Sequence, residues 1–202
     1  MRLFHYHLVT SGVRDVEARY IGKLGFRLVG RHGRIDEASV TIEPGVSWEE
    51  LDRSGFSLRA TELQKGAVNI VLQPGHWRVP RLDHLGIALD EDAFQATLER
   101  AASWRLPVQQ RGHRRTFVSA GSAYRLELHP PREWIDELLD ASDELEVAEL
   151  RLRTDHPAEK AGVLADILGL RATDDAVDVG NTTVRFLPGG PATRPLLHAE
   201  RF

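Results

Sequence analysis

Among the nine histidines and thirty carboxylates of this sequence, four side chains are spaced so that they could hold a metal ion or move protons together. His5 and His7 stand two apart in the stretch Leu3 to Thr10, His84 lies in Arg81 to Leu89, and Glu127 sits between Leu126 and Leu128. Residues two apart on a strand share a face, so His5 and His7 point the same way. So do His84, Gly86 and Ala88, and so do Arg125, Glu127 and His129. A carboxylate between two leucines needs a partner, because an unpaired buried charge is costly. There are no cysteines, which excludes thiolate ligands, disulfides and cysteine nucleophiles. Two histidines and one carboxylate form a facial triad. It suits one divalent ion of Fe, Mn, Zn, Ni or Co and leaves coordination positions open for substrate. The expected ligands are His5, His84 and Glu127. Aligning His7-Leu8 with His84-Leu85 makes His7 the alternative first ligand. An imidazole titrates near neutrality, so His7, His113 and His129 are candidate general bases. The cationic run Arg111 to Arg115, with Arg125 and His129, is either an anion-binding element or a solvated rim.

Three similar segments must position these groups. Ile70 to Gly75, Leu126 to Pro131 and Val184 to Gly189 each read apolar, variable, apolar, any residue, Pro, then Gly or Pro. Ahead of each lies a β-α-β-β-β pattern. In the first, strands are expected at 3–10, 26–31, 38–42, 57–60 and 67–73. Val16, Tyr20, Ile21 and Leu24 mark a helix over 15–24, stopped by Gly25. Residues 48–56 read as a loop or short helix. The second has strands at 81–89, 106–109, 115–119 and 124–129 and a helix over 92–103. The third has strands at 147–153, 170–173, 176–179 and 182–187 and a helix over 157–168, stopped by Gly169. Gly180-Asn181 reads as a hairpin turn. Leu24-Gly25-Phe26 matches Leu168-Gly169-Leu170. The same distance back from Leu24 and from Leu168 reaches His5 and Glu149. The fold class is thus α+β with repeated βαβββ modules: 1–76, 77–132, a linker helix within 133–146, and 147–202 including a C-terminal tail.

His5-Tyr6-His7-Leu8-Val9-Thr10, with Tyr20 and Leu24-Gly25-Phe26, resembles the opening module of the vicinal oxygen chelate superfamily. That superfamily includes glyoxalase I, bleomycin and fosfomycin resistance proteins and extradiol dioxygenases. Asp83-His84-Leu85-Gly86-Ile87-Ala88, Thr116-Phe117-Val118 and Leu126-Glu127-Leu128 look like its metal-bearing second module. The resemblance implies paired βαβββ modules in a U-shaped, partly open barrel around one divalent ion, with His5, His84 and Glu127 at the family's ligand positions. Val71 stands where glyoxalases commonly have a fourth, carboxylate ligand. Ala120-Gly121-Ser122-Ala123 replaces the usual Asp-Pro-Asp-Gly turn, and Tyr124 lies on the opposite face from Glu127. The first of these departures favours a three-ligand, dioxygenase-like site over a glyoxalase-like one; Tyr124 is a poor match for the tyrosine that the resemblance to such dioxygenases implies near the metal, whereas His113 or His7 suits the histidine. A ligand-sequestering protein of the bleomycin-resistance type is the non-enzymatic alternative.

In the third module Glu149 and Arg185 stand where the second has His84 and Glu127, so an ion pair is expected there in place of a metal. An odd module suggests a homodimer that buries it. The chain has 202 residues, 42% hydrophobic and 28% charged, with a net charge of -4. That composition supports a globular core and argues against a dedicated nucleic-acid binder; the small-molecule substrate is what the family resemblance implies. No apolar run is long enough to cross a membrane. The N-terminus lacks the apolar core of a signal peptide, so a cytoplasmic location is expected. Pocket loops, Val46 to Phe56 and Gln110 to Arg115, are expected to set the substrate.

Overall fold

The computed structural model describes residues 1–111 (the Arg111 side chain excepted), 115–120, 124–132 and 147–189. The expected linker helix, His113 and the C-terminal tail lie outside these residues.

The β-α-β-β-β order occurs three times, with one extra strand and a short helix inserted in the first unit. The first unit runs β1 (Arg2–Thr10), α1 (Val13–Leu24), β2 (Arg27–Ile35), β3 (Ala38–Ile42), α2 (Trp48–Arg53), β4 (Ser57–Lys65) and β5 (Val68–Pro74). The second has β6 (Arg81–Ala88), α3 (Glu91–Ser103), β7 (Val108–Arg111), β8 (Arg115–Ser119) and β9 (Arg125–His129). The third has β10 (Glu149–Thr154), α4 (Pro157–Leu168), β11 (Ala172–Thr173), β12 (Ala176–Val179) and β13 (Thr182–Pro188). The expected α+β class and repeated module are therefore present. Gly25 and Gly169 end their helices at φ 72° and 71°, a left-handed conformation that glycine adopts without steric cost.

In each unit the opening strand pairs in parallel with the closing one: β1 with β5, β6 with β9 and β10 with β13. The first two units join where β1 meets β6 antiparallel. The resulting nine-stranded sheet runs β3-β2-β4-β5-β1-β6-β9-β8-β7 and stays open, while the third unit forms its own sheet, β10-β13-β12-β11. Among the described residues no helix is long and apolar enough to cross a membrane.

One face of the large sheet packs on the helices through Leu8, Leu63, Ile70, Leu72, Leu85 and Leu126, all fully buried. The other face carries His5, His7, His84 and Glu127. Two local expectations are corrected. Ile21 is exposed, and the buried face of α1 is Val13, Glu17 and Tyr20. Glu17 is tolerated there because Arg31 grips it with two hydrogen bonds, of 2.5 and 3.0 Å. Trp48 donates to the same carboxylate at 2.9 Å, and the guanidiniums of Arg14 and Arg31 both lie over its ring, at 4.6 and 4.3 Å from the centroid. Arg31 pairs with Thr61, and Thr61 with Leu72, so this cluster lies on the helix side of the sheet. The segment around Trp48 is thus pinned to α1 and does not line the histidine-bearing face.

The third unit also has a partner inside the chain. Its buried residues belong to the same apolar core as those of the first two units. Arg100 of α3 donates to the carbonyl of Ile167 at 2.9 Å, and Tyr124 packs near Phe186. The premise of the expected homodimer, a module with nothing to pack on, does not hold.

Candidate metal centre

Strand register brings the candidate residues together in two adjacent rows. His7 pairs with His84 across β1 and β6, and His84 with Arg125 across β6 and β9. In the next row His5 pairs with Gly86, Gly86 with Glu127, and Glu127 with Phe117. Two irregularities aim the side chains. Between His7 and Leu8 the register slips, so that Asp83 is an extra residue on β6. A bulge of this kind breaks the alternation of faces. Asp83 consequently reaches its neighbour: its Oδ2 is 2.7 Å from His84 Nδ1. Gly86 is the second device. A Cβ built there would lie 2.6 Å from the Cβ of His5, so only glycine lets His5 stand this close to β6.

The donor atoms converge. His5 Nε2 lies 3.2 Å from His84 Nε2, His84 Nε2 lies 3.0 Å from Glu127 Oε2, and His5 Nε2 lies 4.0 Å from that same oxygen. Ligand atoms around one ion with bonds of about 2.1 Å stand roughly 3 Å apart when adjacent and about 4.2 Å when opposed. The three distances fall within that span, so the expected set fits a single divalent ion. A ring nitrogen of His7 joins those of His5 and His84, all three within 4.8 Å of one another. His7 Nε2 is buried without a hydrogen-bond partner among the described residues.

Each expected ligand is held from behind. His5 Nδ1 lies 2.7 Å from Asn69 Oδ1. The amide nitrogen of Asn69 donates to Glu62 at 2.7 Å and to Gln64 at 3.2 Å, which fixes its oxygen towards His5. His5 therefore carries its proton on Nδ1 and turns the Nε2 lone pair inward. Asp83 holds His84 and is itself hydrogen-bonded by Arg125, whose guanidinium stacks over Phe117. The second oxygen of Glu127 is 3.5 Å from both His129 Nε2 and Arg115 Nε. Such outer partners set ligand orientation and basicity.

The electrostatics follow from burial and these contacts. Burial, then the neighbouring His84, pushes His5 down to about 3; the same two causes take His7 to about 4. Both are neutral donors at neutral pH. Burial alone would raise the Glu127 carboxyl, but hydrogen bonds from His129 and His84 hold it well below the usual range. Burial opposes the imidazolium of His84, yet its bonds to Asp83 and Glu127 raise its pKa. Between two carboxylates, a cation is the favoured occupant.

His129 is 3% exposed, so it is no solvated rim residue but stands beside Glu127, edge-on to Phe4. Arg115, with its side chain 62% exposed, does lie at the rim. Four contributors escaped sequence reasoning: Gly86, Asp83, Asn69 and Glu62. Strand alternation assigns Asp83 to the wrong face, Gly86 stands in the family-like segment with no role marked for it, and Asn69 and Glu62 carry no motif. Asn69 shares the face of Val71, a signal only once the register with His5 is known.

Comparison with known proteins bears on the fold. No protein-family model matches the chain, and no curated protein matches it by sequence. Solved structures do match. A xylose isomerase-like TIM barrel/4-hydroxyphenylpyruvate dioxygenase fusion protein is 14% identical with a TM-score of 0.60; the match covers 94% of this chain and 32% of that one. The 2,2',3-trihydroxybiphenyl 1,2-dioxygenase of a dibenzofuran-degrading Sphingomonas wittichii is 13% identical with a TM-score of 0.59, covering 96% of this chain and 69% of that one. An Mn(II)-bound glyoxalase from Novosphingobium aromaticivorans is 11% identical with a TM-score of 0.58, covering 95% and 63%. This chain shares their fold, with repeated βαβββ modules in an open sheet. It spans about a third of the fusion protein's length and under seven-tenths of the other two.

Proposed function

We propose that the chain is a divalent-metal-dependent enzyme acting on a small substrate that offers two neighbouring oxygens. The observation that carries this reading is the convergence of His5, His84 and Glu127 donor atoms within 4.0 Å, each ligand anchored by its own hydrogen bond. A buried cluster of this kind, with an anion at its centre, is stabilised by a cation. Residues 1–76 and 77–132 would each give one half of the centre, and 147–202 would support them. The solved relatives named for dioxygenase and glyoxalase activities favour the same class.

When bound, the ion would polarise substrate oxygens and stabilise the negative charge of an enolate or related oxyanion. The chain's own groups do the rest. Asn69 and Asp83 keep the two imidazoles turned inward. His129 and Arg115 hold the outer oxygen of Glu127, leaving the other for the ion. Arg115, at the rim, is placed to meet an anionic group on an incoming substrate. His7, His113 and His129 are the proton acceptors in the proposal, and a soluble cytoplasmic setting belongs to it. Two reaction types fit: ring-cleaving oxygenation of a catechol-like compound, and lyase or isomerase chemistry of the glyoxalase type.

The test is metal binding. Purified protein offered Fe, Mn, Zn, Ni and Co ions should bind one per chain, and Glu127→Ala should abolish that binding. A wild-type protein that binds none of them refutes the enzymatic reading and leaves a ligand-sequestering protein in its place.

A further inference from the structure

We propose that His7 is a fourth protein ligand, so that the centre is built from three histidines and one carboxylate. The inference rests on the metal reading above and deepens it: as a ligand, His7 gives up the proton-accepting role, which falls to His113 and His129.

Three observations carry it. First, ring nitrogens of His5, His7 and His84 lie within 4.8 Å of one another, so a closing of at most about 0.6 Å brings them within the span of donors around one ion, and the His7 ring centroid is 4.7 Å from that of His84. Second, His7 Nε2 is buried and has no hydrogen-bond partner among the described residues. His5, His84 and Glu127 each have one in Asn69, Asp83 and His129. A buried polar atom left unsatisfied costs on the order of 1–3 kcal/mol, so native structures rarely keep one without use. Third, the strands on either side offer His7 nothing else. Its partner on β5 is Val71, which has no polar side-chain atom, and its partner on β6 is His84. The extra residue Asp83 creates that second pairing: the slip sets His84, and not Asp83, across from His7. A cation shared with His84 satisfies the orphaned nitrogen where no group among the described residues does.

The count of ligands decides chemistry. Three protein ligands on an octahedral ion leave three positions, enough for a chelating substrate and a second reactant. Four leave two, which one substrate with adjacent oxygens fills. The four-ligand centre therefore favours rearrangement or elimination within a single bound substrate over addition of dioxygen.

The experiment counts imidazoles directly. Wild-type protein with isotopically labelled histidine nitrogens is loaded with a spin-half cadmium isotope, and one-bond couplings between metal and nitrogen are read by NMR. Three coupled imidazoles are expected, falling to two in His7→Ala, with cadmium affinity weakened about 10–100-fold. Two coupled imidazoles in the wild type overturn the proposal and leave the metal reading intact. So does a folded His7→Ala that binds cadmium within twofold of wild type. Wild-type protein that binds no cadmium and none of the other ions overturns both.

Discussion

Replacing Gly86 by alanine tests whether close approach of β1 and β6 builds the centre. The added Cβ would fall 2.6 Å from His5 Cβ, 3.0 Å from Cδ2 and 3.1 Å from Cγ, where ordinary contact begins near 3.4 Å. The nearest obstacle is a Cβ fixed to the backbone of β1, not the end of a flexible chain, so relief requires His5 to move by roughly 1 Å. Coordination tolerates about 0.2 Å. Overpacking of this size costs about 1–3 kcal/mol, or very roughly 2–12 °C in melting temperature for a chain of this length. The ion should be lost more completely: about 10–100-fold in affinity, since His5 is pushed away from His84 while the Asp83–His84 pair is untouched. Calorimetric titration with Mn2+ and thermal unfolding of the metal-free protein measure the two effects separately. Mn2+ affinity within twofold of wild type would show that His5 need not hold its present position, and would refute the reasoning.

Two further outcomes are expected. Asp83→Asn removes the anion that holds His84 and leaves a side chain of the same shape; Mn2+ affinity should fall about 10–100-fold at an unchanged circular dichroism spectrum, and equal affinity counts against an orienting role. Glu149→Gln breaks pairs of 2.8 Å to Arg185 and 2.9 Å to Arg151. Hydrogen bonds from Arg151 lower the Glu149 pKa, against a smaller opposing effect of burial, and Arg185 lowers it further. A depressed carboxylate stabilises above its unfolded pKa and loses that contribution as pH falls through the folded one. These half-exposed groups are screened by solvent, so wild type should exceed the variant by about 0.5–1 kcal/mol at pH 7. In denaturant titrations the gap should close at acid pH; a gap independent of pH refutes the assignment.

The module and the donor rows were legible because both are periodic. Alternation in Leu3 to Thr10 and around Glu127 placed His5, His7, His84 and Glu127 on shared faces, and Gly25 and Gly169 marked the helix ends. What escaped was aperiodic. The slips at Phe4 and Asp83 insert one residue each, and no local pattern announces a bulge. Glu17 looks like a polar interruption in an apolar stripe until Arg31, fourteen residues on, is seen to meet it. Gly86 reads as one more residue in a strand; its need arises from a β1 neighbour distant in sequence. The ion pair of Glu149 with Arg185, by contrast, followed from substituting opposite charges into equivalent places of a repeat, and the two side chains do meet at 2.8 Å.

The third unit keeps the fold of the other two and lacks their donors, and its contacts show what such a unit can still do. The slip at Phe4 interrupts β1, and the ladder between β1 and β5 begins only at His5. Leu3, just before the slip, still has a backbone N–H and carbonyl to satisfy. The side chain of Asn181, in the β12–β13 hairpin, accepts from Leu3 N at 3.0 Å and donates to Leu3 O at 3.1 Å, the two bonds a neighbouring strand would make. Gly180 beside it has φ 68°, and a Cβ there would strike the carbonyl oxygen of Met1 at 2.3 Å. The hairpin thus grips the first residues of β1 closely. His5 is consequently fixed on both sides: by Asn69 on β5, and by a clamp two residues upstream that comes from the unit without donors. A metal centre shared between two units demands that their joining strand hold its register, and the third unit supplies one of the contacts that hold it.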